Sequence, residues 1–559
     1  MNLCLDNRRS AVLLLAALLA LGVAGCRKPG ALPGSGLLAQ DLSPDEFQRL
    51  PDRDQVRYRD IVIRVPHTFY GVLPPTHSGV YPSILDKMVH TGDLVTLMGL
   101  YNQALFEAQH PRVKVEYISF DMWSENFRSA LAVAMSAGRA PSFYVARDLP
   151  ETINQGIYAD ITDLVRRWDQ FGRQPEAAYH EGMVNGRTYT VAKGELSALV
   201  IRYRKDWFRE AGIFNEHGEP GPPSDWTWQD FRRYARMLTR PDQNRYGFVG
   251  ETRDFLFNDA HGIEPLYIPD PTGRRTWVFN DQEPLLLESL KNAREMVNKE
   301  KSVYTSVSMN WFEWHAEFDA SHAAMIVSWA AHPPRESLEQ PFKFGKDKPF
   351  RDVVGMVPPP RGRTGLTSLK QICDLVGFDP TLHPRQLEAA FEWFKASNYG
   401  VVFLNRIRQE AQEARVKGRR PTLYAAMLSL PYEPAEQVLD EPFERVFPPD
   451  YLRTFEAIRK SRHPPLPREF GLREPPRDAL YGAVKSLYSD AINTTTDLRL
   501  LVARHANIIN TNLLNFRGPD DRANHRRYVD ALTAFYRQCF PRYYETEWRR
   551  KLQTYFRAP

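Results

Sequence analysis

The sequence predicts an α/β protein of at least two lobes, with further helices at its C-terminal end. Three observations carry this. The chain has 559 residues, 43% of them hydrophobic, and a single core stops growing near roughly 250–300 residues, so more than one is expected. Short β-branched runs alternate with amphipathic helical patterns between residues 61 and 147, as in a parallel sheet covered by helices on both faces. Past residue 476 the helical periodicity returns with no strand between.

Residues 1–25 read as an export signal: "NRRS" is a basic leader, and "AVLLLAALLALGVAG" is an apolar run ending in small residues before Cys26. That run is shorter than the roughly 20 residues a spanning helix needs, and no later stretch of sequence offers another span. Val23, Ala24, Gly25 and Cys26 resemble the lipobox of bacterial lipoproteins, in which the cysteine is acylated and becomes the mature N-terminus. The alternative is an ordinary signal peptide with a cysteine there by chance. Position, the flanking small residues and the "RKPGALPGSG" tether that follows favour the lipid. Each buried methylene contributes about 0.8 kcal/mol, so several acyl chains anchor stably where one does not. Residues 26–59 then read as a spacer.

"IVIRV" at 61–65 is expected to be a buried strand. Leu94, Leu97, Leu100, Tyr101, Ala104 and Leu105 have helical spacing, with Pro111 after the end. "RVKVEYISF" (112–120), "SENFRSALAVAMSAG" (124–138) and "PSFYVAR" (141–147) continue as strand, helix and strand. In parallel α/β sheets ligands sit beyond the carboxyl ends of the strands, which singles out Thr68, Trp123, Arg147 and Asp148.

In "SDWTWQDFRRYARML" (224–238), Thr227 followed by Asp230 approximates a capping box, which starts a helix at Trp228 and buries Phe231, Tyr234, Ala235 and Leu238. Trp226 is then placed to staple onto Phe231, the other use being contact with solvent or ligand. In "NWFEWHAEFDASH" (310–322) Trp311, Trp314, His315 and Phe318 share one helical face, the spacing of a core stripe more than of a metal or acid/base set. Residues 420–476, rich in proline and charge, are expected to wrap the surface irregularly. Leu480, Ala483, Val484, Leu487 and Tyr488 mark one later helix, and Leu498, Leu501, Val502 and His505 the next.

Several chemistries lack their signals. The net charge of +5 is a small excess of 73 basic over 68 acidic residues, with no concentrated basic face of the kind nucleic acid demands. There is no G-x-S-x-G elbow, P-loop, H-E-x-x-H or G-x-G-x-x-G after a strand. Carboxylate pairs such as Glu313 and Glu317 carry no weight, because the separation that matters is spatial. Once Cys4 leaves with the signal and Cys26 is modified, Cys373 and Cys539 remain. They are expected to be two buried thiols, although an oxidising compartment permits a bridge. No cofactor and no metal is expected.

Eight stretches, in order across most of the mature chain, resemble one family. They are "SAGRAPSFYVAR" (136–147), with Ser142 where an aspartate is usual; "NQGIYADITDLV" (154–165); and "VNGRTYTVAKGELSALVIRYRKDWFREAGI" (184–213), departing at Thr190, Ala192 and Arg204. "PPSDWTWQDFRRYARMLT" (222–239), "HGIEPLYIPDPTGRRTWVFNDQE" (261–283), "FDASHAAMIVSW" (318–329), "VVGMVPPPRG" (353–362) and "EAAFEWFKAS" (388–397) follow. The chain resembles bacterial extracellular solute-binding proteins of the maltodextrin-binding type, which serve ABC importers.

That resemblance implies a class II periplasmic-binding-protein fold, two lobes joined by crossing strands around a cleft that closes on its ligand. Lobe one would take 60–196 and 372–430, and lobe two 197–371 with 431–559 as its C-terminal helical extension. It implies a sugar or oligosaccharide ligand, which needs aromatic faces and paired polar groups. Trp329 is then expected to stack on the sugar, with packing as its alternative, and Trp123 to be a second platform. Glu195, Ser197, Arg147, Asp148, Thr68 and Asn258 are the polar candidates, each otherwise an exposed or salt-bridged loop residue. The implied partners are permease subunits of an ABC transporter and the membrane, through lipid on Cys26. Nucleic acid binding and catalysis are not expected, and the chain is expected to be monomeric. Two other uses stay open: an envelope enzyme acting on polysaccharide, and the same fold reporting its ligand to a sensor.

Overall fold

The structure, a computed structural model, describes residues 61–66, most of 103–146 and 152–173, and 182–193, 197–250, 284–304, 311–330 and 350–399. It also describes most of 447–464, then 477–515 and 522–556, and the backbone of 267–269 and 275–277. In chain order the elements of the first part are β1 (Ile61–Pro66), β2 (Val113–Ile118), α1 (Phe127–Ser136), β3 (Phe143–Val145), β4 (Met183–Val184), β5 (Arg187–Thr188) and β6 (Thr190–Ala192). Then come β7 (Leu199–Arg204), α2 (Lys205–Glu210), α3 (Trp228–Leu238), β8 (Tyr246–Val249), β9 (Tyr267–Pro269), β10 (Arg275–Trp277), α4 (Pro284–Arg294) and β11 (Val303–Tyr304). They are followed by α5 (Trp311–Asp319), β12 (Ala323–Trp329), β13 (Val354–Val357), β14 (Leu375–Phe378), α6 (Pro384–Tyr399), α7 (Pro449–Lys460), α8 (Arg477–Asn493), α9 (Leu498–Asn515) and α10 (Arg522–Cys539).

Two larger sheets centre the two lobes. One has the order β3-β14-β6, the other β11-β8-β12-β7-β13, while β1 and β2 pair separately. The wholly parallel sheet expected from the sequence is not what forms. β14 is antiparallel to both its neighbours. In the larger sheet β11, β8 and β12 are parallel, but β7 runs against both β12 and β13. The reason lies in how β7 is fed. β7 enters its sheet from the side of the small sheet, at the edge where β8, β11 and β12 end, so it runs against them.

Ser142, the departure from the family's aspartate, is 1% exposed. Its hydroxyl accepts the Arg64 amide of β1 at 2.9 Å, and its own amide donates to the Arg64 carbonyl at 2.8 Å. A hydroxyl in this spot joins two strands without a buried charge. Behind the small sheet, Phe143, Phe378, Phe391 and Phe394 form an aromatic core, with neighbouring rings 5.6–6.5 Å apart.

The second core gathers Ile201, Tyr203, Phe208, Phe231, Phe248 and Leu286 with Leu487, Tyr488, Leu501, Val502 and Ile509 from α8 and α9. The two C-terminal helices are therefore part of the lobe built on the five-stranded sheet, and the Ser289 and Tyr488 hydroxyls meet inside it at 2.7 Å. Tyr203 lies against backbone: a Cβ on Gly355 would stand 2.2 Å from its ring, so that position admits only glycine.

The paired tryptophans behave as the capping pattern predicts. Thr227 and Asp230 form a capping box, and Trp228, Phe231, Tyr234, Ala235 and Leu238 are the buried residues of α3. Trp226 meets Phe231 edge-on at 5.7 Å, the contact of a hydrophobic staple. It is 1% exposed, and its indole N–H donates to the Pro358 carbonyl at 2.8 Å. Neither solvent nor ligand reaches it. No disulfide joins Cys373 and Cys539, and both are half-buried, so neither is fully enclosed, unlike the expectation.

The largest correction is α7, inside the stretch expected to be irregular. Pro448 is its N-cap and Pro449 its first residue; at that position proline lacks only an N–H that would be unbonded anyway, and its fixed φ suits a helix. Tyr451, Thr454, Phe455 and Ile458 bury its inner face. Asp450, 6% exposed, accepts from Lys205 Nζ at 2.9 Å and from the Met356 amide of β13 at 3.0 Å. Thr454 Oγ1 donates to the Met356 carbonyl at 3.1 Å, so α7 supplies the missing ladder partner of an edge strand. Burial pushes the Tyr451 phenol up, opposed by Arg202 and reinforced by Asp450, so it stays neutral. Asp450→Ala strands Lys205 in a nearly dry site and is expected to cost about 3–5 kcal/mol, measured by denaturant unfolding.

Candidate functional site

β8, β11, β12 and β13 all point their carboxyl ends at one edge of the larger sheet, because the first three are mutually parallel and β13, like β12, opposes β7. Ligands of α/β sheets bind beyond this edge. β7 runs the other way, so its amino end arrives at the same place. Trp329, last in β12, pairs with Leu199, first in β7, and the Ala330 amide donates to the Ala198 carbonyl at 2.9 Å. Ser197 and Ile372 exchange two backbone hydrogen bonds of 2.7 Å. The Lys193 amide donates to the Asp374 carbonyl at 2.7 Å, and Leu375 pairs with Ala192 in the small sheet. Two chain segments thus cross side by side from one sheet to the other.

The structure brings Trp329 and Ser197 together at this crossing. Thr68, Trp123, Arg147, Asp148, Glu195 and Asn258 lie outside the described residues, as does Cys26. Trp329 is half-buried and packs against the core of its lobe, so it is neither wholly enclosed nor wholly exposed.

Several residues around Trp329 were not singled out from sequence. Arg202 of β7, 3% exposed, donates from Nη2 to the Trp329 carbonyl at 3.2 Å. His315 Nε2 of α5 and the buried Ser328 hydroxyl are 3.2 Å apart. The end of β12 is therefore held from three sides: β7 backbone, a buried guanidinium and a helix side chain. The aromatic stripe of α5 supplies packing, with Phe318 buried and Trp314 and His315 half-buried. At its far end His322 Nδ1 meets Glu317 at 2.5 Å. Period-2 alternation in "LVIRYR" gives no sign of Arg202's partner, because that partner is a backbone atom 127 residues later.

Of the departures, Thr190 and Ala192 are wholly buried, and nothing in the structure explains them; Arg204 has a local explanation. Arg204 grips Asp206 with two bonds of 2.7 and 2.9 Å, in the bidentate form that suits guanidinium and carboxylate. A cavity of about 60 Å³ lined by Phe127, Leu131, Met135, Ile157 and Tyr158 is far below the roughly 300 Å³ of a small-molecule site. It is a packing gap beside α1. Among the described residues no group of three or more His, Cys, Asp or Glu could hold a metal ion.

Residues 90–394 match the model of a family described as bacterial extracellular solute-binding protein. Among solved structures, an ABC substrate-binding protein of Listeria monocytogenes in complex with cycloalternan is similar over 75% of this chain and 96% of its own, at 18% identity and a TM-score of 0.52. An ABC transporter solute-binding protein of Thermotoga lettingae bound with alpha-D-tagatose is similar over 81% and 100%, at 14% identity and a TM-score of 0.52. The sugar-binding protein MalE of Xanthomonas citri is similar over 84% and 99%, at 15% identity and a TM-score of 0.51. At these identities the likeness is one of fold. No curated protein matches the sequence.

Replacing Arg202 with Met keeps the bulk and removes the donor to the Trp329 carbonyl. The expected loss is about 1–3 kcal/mol of unfolding free energy, with a shift in tryptophan fluorescence of the folded protein as the end of β12 loosens.

Proposed function

Because the chain belongs to the bacterial extracellular solute-binding proteins, we propose that it is the lipid-anchored receptor of an ABC importer, binding a sugar or oligosaccharide between its lobes without catalysis. The observation that carries this reading is the half-buried Trp329 at the carboxyl edge of the large sheet, beside the paired crossing segments at Ser197 and Ile372. A flat indole face fixed by its own core suits the apolar face of a pyranose, and it is pre-organised because Arg202 and β7 hold its backbone. The ligands named for the similar structures, cycloalternan and tagatose, are the chemistry such a platform would take. Trp123, Glu195, Arg147, Asp148, Thr68 and Asn258 are proposed as the remaining contacts, with lobe one at 60–196 and 372–430 and lobe two at 197–371 and 431–559.

Anchoring through Cys26 fits the export signal, and no helix among the described residues is long and apolar enough to cross a membrane. Permease subunits would meet the loaded, closed form. Closure would concentrate backbone change in the few residues of the two crossing segments, as hinges do.

Thermal unfolding against a panel of mono- and oligosaccharides is expected to show a rise in melting temperature with at least one of them; no shift with any sugar would sink the carbohydrate reading. Trp329→Ala is expected to weaken that ligand about tenfold, the equivalent of ~1.4 kcal/mol. Mass measurement of the chain from bacterial membranes is expected to show acyl chains on Cys26, and Cys26→Ser to release the protein into the soluble envelope fraction.

A further inference from the structure

The chain's small positive charge is not spread along it. Between Arg522 and Phe556 there are eight Lys and Arg against three Asp and Glu, an excess equal to the +5 of the whole protein, which leaves the remainder balanced. This stretch is a folded unit. α10 is followed by a second helical run, through Pro541–Tyr543, Tyr544–Trp548, Arg549–Lys551 and Leu552–Phe556. The two close on an aromatic cluster of Val529, Leu532, Tyr536, Tyr543 and Trp548, which also takes in Leu366. Trp548 Nε1 donates to Thr533 Oγ1 at 2.9 Å across the pair, and Tyr536 lies 4.9 and 5.0 Å from the Tyr543 and Trp548 rings.

With that cluster inside, the charge faces out. On α10 the exposed residues are Ala523, Arg526, Arg527, Asp530, Ala534, Arg537 and Gln538, which at about 100° per residue occupy one side of the helix. It holds three arginines and one acid. Arg542 and Arg549 are exposed on the second run; Arg549 is balanced by Glu545 at 3.2 Å, and Arg550 by Glu547 at 3.3 Å. Lys551 is buried against Tyr543. Arg537 lies with its guanidinium 4.9 Å over the Tyr544 ring, which holds the side chain in place without neutralising it.

We propose that the outer face of this C-terminal helical pair, centred on Arg526, Arg537 and Arg542, is a docking surface for an anionic phospholipid bilayer. Its charge complements phosphate, which guanidinium binds in a planar, forked fashion. Basic groups gathered at one surface are attracted by anionic lipid over about a Debye length. The choice of a bilayer over an acidic protein rests on the lipid-anchored reading, since an anchored chain already has that surface beside it. The basic face then acts beside the acyl chains, each raising the effective concentration for the other.

The test uses the mature chain from residue 26 onward with Cys26→Ser, so that no acyl group contributes. Co-sedimentation is measured with vesicles of phosphatidylcholine alone and with phosphatidylglycerol and phosphatidylcholine in about equal parts. Binding at low salt is expected to be at least about tenfold greater on the anionic vesicles, and to vanish near 1 M salt, where the Debye length is about 3 Å. The triple change Arg526→Glu, Arg537→Glu and Arg542→Glu is expected to reduce binding to the level on phosphatidylcholine while the protein stays folded, its melting temperature lowered only by loss of the Arg537 contacts with Tyr544. Equal binding to both vesicles, or undiminished binding by the triple variant, overturns the proposal. Binding to polyglutamate but not to anionic vesicles also overturns it, in favour of an acidic protein partner. The Cys26 acyl chains are measured separately by mass, so failure here leaves the anchor to be judged by that result.

Discussion

Strand β7 is buried at every residue from Leu199 to Arg204 and hydrogen-bonded along both edges. The chain reaches it from the other sheet, and the returning chain leaves alongside through Ile372 and Asp374. Everything described at the candidate site follows from that placement. The antiparallel direction of β7 brings its amino end to the carboxyl edge of four other strands, sets Ser197 beside Trp329, and supplies Arg202 to the Trp329 carbonyl. A strand inserted the other way would put the crossing at the opposite edge, away from where α/β sheets bind ligands.

The edge of this sheet needed a second solution. Among the described residues β13 pairs with β7 alone, and α7 lies on its other side with Asp450 and Thr454 bonded to Met356. The same helix reaches the crossing: Gln371 Nε2 donates to the Ile458 and Arg459 carbonyls of its last turn at 3.3 and 3.2 Å, and the Ile458 carbonyl also accepts from the Ser461 amide and hydroxyl. Arg453 of α7 also bonds Glu219. Burial would raise the Glu219 pKa, but the bonds from Asn215 and Arg453 hold it below the usual carboxylate range. Polar groups here are costly unless all are partnered, so α7 ties the sheet edge and the crossing into one arrangement.

The C-terminal residues divide into two jobs. α8 and α9 complete the core of the five-stranded lobe, whereas α10 and the run after it make a separate aromatic cluster and touch the lobe through Leu366. Ion pairs from Arg363 to Glu288 of α4 and to Glu547 join the lobe to this second unit at 3.4 Å. Those exposed pairs add little stability, which leaves the apolar contacts as the main hold on the second unit.

Local signals in the sequence were enough for the elements they govern. The Thr227 and Asp230 box, the buried stripe from Trp228 to Leu238, and the apolar spacing at Leu487, Tyr488, Leu501 and Val502 each reappear in the structure, because capping and helical periodicity act within a few residues. Trp226 could also be assigned to packing on that basis. The prolines at 448 and 449 misled, since proline breaks a helix interior yet opens a first turn, and only the neighbouring contacts of α7 decide between them. Strand direction, the partners of Asp450, the donor to Trp329 and the half-buried state of its ring rest on contacts between residues far apart in sequence. By itself the sequence determined the helices whose apolar period is local and the cap at Thr227; the tertiary structure alone decided that α7 forms and which edges meet, because backbone pairing and buried charge have no local period to read.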